Sequence, residues 1–421
     1  MQHGPFPTAL ALALAMLAPA LAQGEAVFGA ADIEAAGYDG GDLPSGRSAI
    51  TAKVQVLLDR SGTSPGVIDG FRGGMSESAI RAFERRVGLP VDGIMDPHVW
   101  NLLQSYATRP VMQDYTITES DAQGLVDAIP TDYAEKAQMA SMGYTSIAEK
   151  LGERFHMDEK FIGFLNPGIA LVPGATIRVT APFPPLKAEV SRIIIDTSTR
   201  RVAGYNAGGR MIVDYPATIG SDATPSPAGD HKVANVALNP NYTYNPARNF
   251  KQGENDRALV VPPGPNGPVG TVWIGLTKPS YGIHGTPTPS QLFRNQSFGC
   301  VRLTNWDAQE LAGMVRAGTT TVEFLAPGVS IADVTGGAAA PAATAAAAKA
   351  TTKPEEPLAL PATEAAAGPA TGQVYENTTE ETADAAAPAV VGNDPLSAAL
   401  SGVLSEGFLV PPLEEQSGGQ P

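Results

Sequence analysis

The chain of 421 residues carries one cysteine, five histidines and three tryptophans, and aromatic side chains make up only 6% of it. A lone cysteine excludes an intramolecular disulfide framework and a thiolate zinc cluster. Basic side chains are also scarce, 28 against 43 acidic ones, leaving a formal net charge of −15. That balance argues against nucleic acid as a partner, because phosphates call for a basic footprint. The sequence has no nucleotide-binding glycine loop. His98, His156 and His231 have no second His, Cys or carboxylate at ligand spacing, so neither metal nor cofactor is expected. Beyond residue 22 no stretch approaches 18 apolar residues, which excludes a spanning helix in the mature chain.

What is present is glycine (45), proline (37) and an apolar fraction of 43%, ample for buried cores. The length predicts two or three domains. The acidity is uneven. Residues 331–421 hold 2 basic and 12 acidic side chains, whereas 188–330 hold 12 and 10, close to neutral. The global charge therefore says little about any active cleft.

Residues 9–22 (ALALALAMLAPALA) form an apolar run ending in Ala20-Leu21-Ala22, which reads as a secretory signal peptide over 1–22. The competing reading is a buried N-terminal helix, since no Lys or Arg precedes the run. Residues 23–48 read as a linker. From 49 to 107, Ile50, Val54, Leu57 and Leu58 and then Ile80, Phe83 and Val87 fall at helical spacing, with a third short helix around Val99, Leu102 and Leu103. The wording QVLLDRSGTSPGVIDGFRGGMSESAIRAFERRVGLPVDGIMDPHVWNLL, with its turns Asp69-Gly70 and Asp92-Gly93, resembles the peptidoglycan-binding three-helix domain. A generic helical bundle is the alternative.

Over 113–182, YTSIAEKLGERFHMDEKFIGFLNPGIALVPGATIRV reads as two helices, an Asn166-Pro167-Gly168 turn and a closing strand. The order resembles a degenerate LysM carbohydrate-binding unit, βααβ; a spacer is the other reading. Residues 188–327 alternate apolar and polar positions between Gly and Asn turns, as β-hairpins do. From 328 to 421 the chain is rich in Ala, Pro, Thr and Glu, a composition that reads as a disordered tail.

Cys300 sits in Ser297-Phe298-Gly299-Cys300-Val301-Arg302, 16 residues after His284. A thiolate nucleophile needs a base to take its proton and main-chain N–H donors for the oxyanion formed on attack. His284 can be the base. Gly299 lets the backbone turn so that its own N–H and that of Cys300 converge on one oxygen.

The full wording resembles the L,D-transpeptidase (YkuD) family, whose signature is His-Gly-Thr/Ser at a strand end, a loop, and Ser-His-Gly-Cys-x-Arg. TPSPAGDHKV (224–233) and VVPPGPNGPVGTVWIGL (260–276) agree with that family. One departure is Phe298, which stands where the motif has a second histidine. The resemblance implies a multidomain chain: an all-α peptidoglycan-binding-like module, a LysM-like α+β segment, and a mainly-β, β-sandwich-like catalytic domain with a cleft at its strand ends.

It also implies an exported, periplasmic enzyme acting on peptidoglycan tetrapeptide stems. Cys300 would attack the L-centre carbonyl of diaminopimelate and expel D-alanine, with His284 as base and acid oriented by the Gly285 carbonyl. The thioester would pass to the amine of a second stem. Arg302 either binds a stem carboxylate or pins the turn by an ion pair, and Ser297 bonds either loop backbone or substrate. Tyr281, Tyr244 and Trp273 either line the cleft or pack in the core. With water, a free D-amino acid or a protein amine, such as that of an outer-membrane protein, as acceptor, the same acyl-enzyme gives a carboxypeptidase, an exchange enzyme or an anchoring enzyme. A catalytically weak wall-binding scaffold is the reading from another class.

Overall fold

A computed structural model of the chain describes Met1 and residues 27–220, 224–247, 251–294, 297 and 299–335. The expected signal segment beyond Met1, Phe298 and the expected tail beyond 335 lie outside the described residues.

The N-terminal half is helical. It runs through α1 (Ala30–Ala35), α2 (Ala49–Arg60), α3 (Gly74–Val87), α4 (Pro97–Leu103), β1 (Met112–Thr116), α5 (Tyr133–Lys136), α6 (Ile147–Arg154), α7 (Glu159–Leu165) and β2 (Thr176–Thr180). Ser48 caps α2 by accepting from the Thr51 N–H, and Asp96 caps α4 ahead of Pro97, the first helical position. The two Asp-Gly turns are each held by a buried acceptor from a helix. Gln55 Oε1 accepts from Asp69 N and Gly70 N, and Glu84 Oε2 from Asp92 N and Gly93 N. Burial pushes the Glu84 carboxyl up to about 8.

The linker expected over 23–48 is packed structure from Phe28 onward. Ile33 and Leu43 are buried, and Phe28 lies against Phe161 and Phe164 with ring centroids 6.3 and 5.0 Å away. These three apolar residues are spaced too far apart to show a period. The three-helix module and the middle segment share one core, in which Leu57, Phe83 and Leu103 meet Phe161, Ile177 and Val179. The buried Arg60 staples them, donating to the carbonyls of Tyr106, Arg109, Pro110 and Ala181. In the middle segment β1 pairs antiparallel with β2 around α6 and α7. The two helices and the closing strand read from sequence are α6, α7 and β2, while an excursion over 117–146 that carries α5 separates β1 from α6.

The C-terminal half continues with β3 (Arg192–Asp196), β4 (Arg201–Tyr205), β5 (Met211–Pro216), β6 (Gly229–Leu238), β7 (Tyr242–Tyr244), β8 (Leu259–Val261), β9 (Val272–Leu276), β10 (Gly282–His284), β11 (Val301–Arg302), α8 (Asn305–Met314), β12 (Thr321–Phe324) and α9 (Ile331–Thr335). Eight strands form one mixed sheet in the order β11-β10-β9-β6-β12-β3-β4-β5, while β7 and β8 make a separate hairpin. The sandwich character comes from β6. Its first residues pair with β12, its later ones with β9, and the ladder is irregular between Val233 and Asn235. A bulge of this kind bends a strand and lets it serve two layers. The two halves face each other across a shared core of Ile193, Val213, Ile274, Ile283, Val301 and Phe324.

Both outer strands of the sheet are met by other chain. Thr218, just past β5, bridges Arg302 of β11 by two main-chain hydrogen bonds of 2.8 and 2.9 Å. On β5 itself, Asp214 accepts from Ser64 N and donates to Gly62 O, so the loop after α2 runs along that strand. The Asp214 carboxylate is fully buried between Arg201 (2.6 Å) and Arg85 (2.5 Å). The Gly328 boundary is also corrected: Ile331 of α9 is buried against Ile194, Ala203 and Leu325, so the packed chain extends to Thr335.

Candidate functional site

The strand register, not the 16-residue interval, brings the candidate residues together. β9 pairs antiparallel with β10, matching Trp273 to His284 and Gly275 to Gly282. β10 pairs parallel with β11, matching His284 to Arg302 and Ile283 to Val301, so Cys300 falls beside Gly282. Residues matched across a sheet share a face. One face therefore carries the row Trp273, His284, Arg302 and, next to it, the row Gly275, Gly282, Cys300. The other face, Ile274, Ile283 and Val301, enters the core. His284 and Cys300 are diagonal neighbours, a spacing of roughly 7–8 Å at the backbone that two side chains can bridge.

The glycines keep this arrangement open. A Cβ at Gly282 would lie 2.7 Å from Trp273 Cζ2, and the indole folds over that position. A Cβ at Gly285 would fall 2.0 Å from Asn305 Oδ1. Gly299 has φ +104°, with Tyr281 Cε1 2.8 Å from where a Cβ would stand.

His284 is buried, stacked on Trp273 (5.6 Å, 21°), and its Nδ1 lies 2.7 Å from the Gly285 carbonyl. A carbonyl accepts only, so Nδ1 carries the proton and Nε2 presents its lone pair. Burial, reinforced by the Arg302 charge, lowers the imidazole to about 3, neutral at any physiological pH. Cys300 is half-buried, with Sγ 3.7 Å from the Ser280 carbonyl. Burial pushes its thiol up, opposed by the Gly282 N–H directed at sulfur and by Arg302. At rest the pair is a thiol and a neutral imidazole.

The remaining expected residues divide. Arg302 rises from the catalytic face; its buried Nε has no hydrogen-bond partner. The ion pair considered for it from sequence is not among those formed by the described residues. Ser297 is buried and holds the loop: its hydroxyl donates to the Cys300 carbonyl and accepts from Gly299 N at 3.1 Å. That bond engages the Gly299 N–H, the one expected from sequence to serve the oxyanion. Tyr281 flanks the loop, half-buried, with Lys278 Nζ 4.9 Å from its ring centroid. Trp273 backs His284. Tyr244 is fully buried and does not line an open cleft, because it stacks on Tyr133 (4.5 Å, 15°). Phe298 lies outside the described residues.

Sequence reasoning missed Gly282, Tyr133 and Tyr242. The first is signalled only by its place two residues before His284, and the others by nothing local. Among the described residues, no group of three His, Cys, Asp or Glu side chains could hold a metal ion, and no helix is long and apolar enough to cross a membrane.

The family model described as "L,D-transpeptidase catalytic domain" matches residues 191–324, and that of a "Putative peptidoglycan binding domain" matches 47–103. Neither extends over 113–182. The chain is 30% identical over 181 residues to the "Putative L,D-transpeptidase YkuD" of Bacillus licheniformis, covering 41% of this chain and 89% of that one. It is 34% identical over 110 residues to the protein of the same name from Bacillus subtilis, covering 26% of this chain and about half of the relative's length, 52%. A solved L,D-transpeptidase from Xylanimonas cellulosilytica overlays with TM-score 0.31 at 13% identity, covering 69% of this chain and 100% of that one, an overlay too loose to argue from.

Proposed function

Because the chain belongs to the L,D-transpeptidase (YkuD) family, we propose that it is a cysteine acyltransferase that cross-links peptidoglycan stems through a thioester on Cys300. The observation that carries this reading is the shared face of His284 and Cys300, with the imidazole neutral and its Nδ1–H held by Gly285.

The resting protonation dictates the order of events. Cys300 Sγ attacks the L-centre carbonyl of diaminopimelate while its proton passes to His284 Nε2. The Gly282 N–H steadies the sulfur as it gains charge. The oxyanion is held by main-chain N–H groups, that of Cys300 first, because the Gly299 N–H is bound to Ser297. On collapse the C–N bond to D-alanine breaks and His284 returns its proton to the departing amine. The acceptor's amine then attacks the thioester, loses its proton to His284, and the thiol re-forms. Arg302 is the cation available for a stem carboxylate.

The peptidoglycan-binding module over 47–103 holds the enzyme to the glycan, and export to the periplasm supplies the substrate. The test is incubation of the purified chain with disaccharide tetrapeptides, followed by mass spectrometry. The expected product is a dimer lacking one D-alanine, absent with Cys300→Ala. No dimer from the unaltered chain would sink the cross-linking reading, and product analysis with added water-only, D-amino-acid or protein-amine acceptors separates transfer from hydrolysis, exchange and anchoring.

A further inference from the structure

We propose that Tyr133, carried by the middle segment and lying outside the stretch matched to the catalytic domain, joins Tyr242 and Arg302 in a subsite that holds a substrate carboxylate beside Cys300. The proposal rests on the donor reading above and adds a specificity-determining residue from another module.

Arg302 is the anomaly that points to it. Arg201 and Arg85 share the Asp214 carboxylate, and Arg60 is satisfied by carbonyls. Arg85 and Arg302 both keep a buried Nε without a hydrogen-bond partner, but Arg85 has the Asp214 carboxylate, whereas the ionisable groups around Arg302 are Cys300, Tyr133, Tyr242 and the neutral His284, none of them a carboxylate. A half-buried guanidinium facing two phenols offers donors and positive charge, with no resident anion to neutralise it. The ligand chemistry that fits is a carboxylate, which accepts from the guanidinium and from the Tyr133 hydroxyl, itself oriented by accepting from Tyr242.

Tyr133 reaches this place because the excursion over 117–146 is clasped to the hairpin of β7 and β8. Its ring stacks on Tyr244 and meets Tyr242 at 5.9 Å, and its hydroxyl shares a hydrogen bond with Tyr242. Tyr242 in turn packs, as Cys300 does, against the cluster of Ala237, Val269 and Trp273. Gln252 fastens both sides: its Oε1 accepts from Tyr133 N, its Nε2 donates to Thr131 O, and its N–H donates to the Tyr244 hydroxyl. Asn255 donates to Asp132, and Met142 N–H to the Pro263 carbonyl. The middle segment is thereby a wall of the catalytic site.

The experiment uses the full chain and three disaccharide-tetrapeptide donors: the free acid, and two in which either the terminal or the diaminopimelate carboxylate is converted to the amide. A hydrogen bond to a charged group is worth a factor of roughly 10 to 100. Tyr133→Phe is expected to raise KM for the free acid by at least about tenfold, with kcat changed less than about twofold. On one of the amides, wild type and variant are expected to match. An unchanged KM on the free acid, or an equal loss on all three donors, overturns the proposal.

Protection of Cys300 from iodoacetamide by the same donors reads the subsite without turnover. A wild type that binds but does not cross-link thus counts against the transferase reading and not against this one. Equal protection of wild type and Tyr133→Phe by the free acid overturns the subsite. Gln252→Ala, which loosens the clasp from the hairpin side, is expected to shift KM in the same carboxylate-dependent way, and covers the case in which Tyr133→Phe does not fold.

Discussion

Titrating Cys300 separates two ways in which this site can work. Its thiol lies above the ordinary 9.0 because burial outweighs the help of Gly282 N–H and Arg302. At pH 7 the thiolate is then less than about 1% of the total, and alkylation by iodoacetamide, which consumes thiolate, is expected to rise roughly tenfold per pH unit from 6 to 9. Acylation by a carbapenem or by the peptide donor follows a different course. It needs thiol and neutral imidazole together, a state that persists from above about 3, where His284 loses its proton, up to the thiol's own ionisation. Its rate is expected to be flat across the range in which alkylation climbs. With a single cysteine in the chain, intact-mass spectrometry reads both reactions as one adduct. Arg302→Met removes a charge that favours the thiolate, so alkylation at any fixed pH in this window is expected to slow further. An alkylation plateau below pH 7 would refute the reasoning, since it would reveal a resting thiolate–imidazolium pair and a His284 that is not a neutral base.

Asp214→Ala leaves Arg201 and Arg85 buried without their anion, and is expected to cost about 3–5 kcal/mol, read from the urea midpoint; a loss under about 1 kcal/mol would contradict it. Stability is expected to fall as pH rises from about 4 to about 7. Burial raises the Asp307 carboxyl to about 7 and Glu153 to about 7, so the folded chain holds protons that the unfolded chain has released. His156, raised by Asp59, acts in the same direction, its contribution being lost as pH climbs through its folded value. With the Asp307 carboxyl raised to about 7 the effect is on the order of 4 kcal/mol, and Asp307→Asn is expected to shrink the difference in stability between pH 5 and 7.5; an unchanged difference would remove Asp307 as its source. Gly285→Ala drives a methyl into Asn305 and displaces the carbonyl that orients His284, with an expected loss of about 100-fold in kcat/KM. Activity within threefold of wild type would show that the carbonyl is not needed.

What was legible in the sequence was local. His284-Gly285-Thr286 and Gly299-Cys300-Val301-Arg302 are short strings whose chemistry shows in their spelling, and the three-helix module announced itself through helical spacing and two Asp-Gly turns. What was not legible depends on contacts across long separations. Phe28, Ile33 and Leu43 join a core whose other members lie up to 150 residues away, so no period marks them. Residue type leaves Tyr244 open between cleft and core; Tyr133 covers it and puts it in the core, and nothing near residue 133 hints at Cys300. The engagement of Gly299 N–H by Ser297 is a matter of loop geometry that residue type alone leaves open.

The loop after α2 that lies along β5 has a consequence for anyone who dissects this chain. A sheet's outermost strand carries unpaired N–H and C=O groups, and here Gly62 and Ser64 occupy those of Asp214 while Thr218 occupies those of Arg302 at the other side. Cutting the chain near residue 188 to isolate the catalytic region would strip the first cover, remove Arg85, and strand the Arg201 guanidinium and the Asp214 carboxylate at a new surface. Such a fragment presents a strand ready to zip onto a second copy of itself. The module over 47–103 thus doubles as the sheet's selvedge, and the truncated chain is expected to clump before it can be assayed.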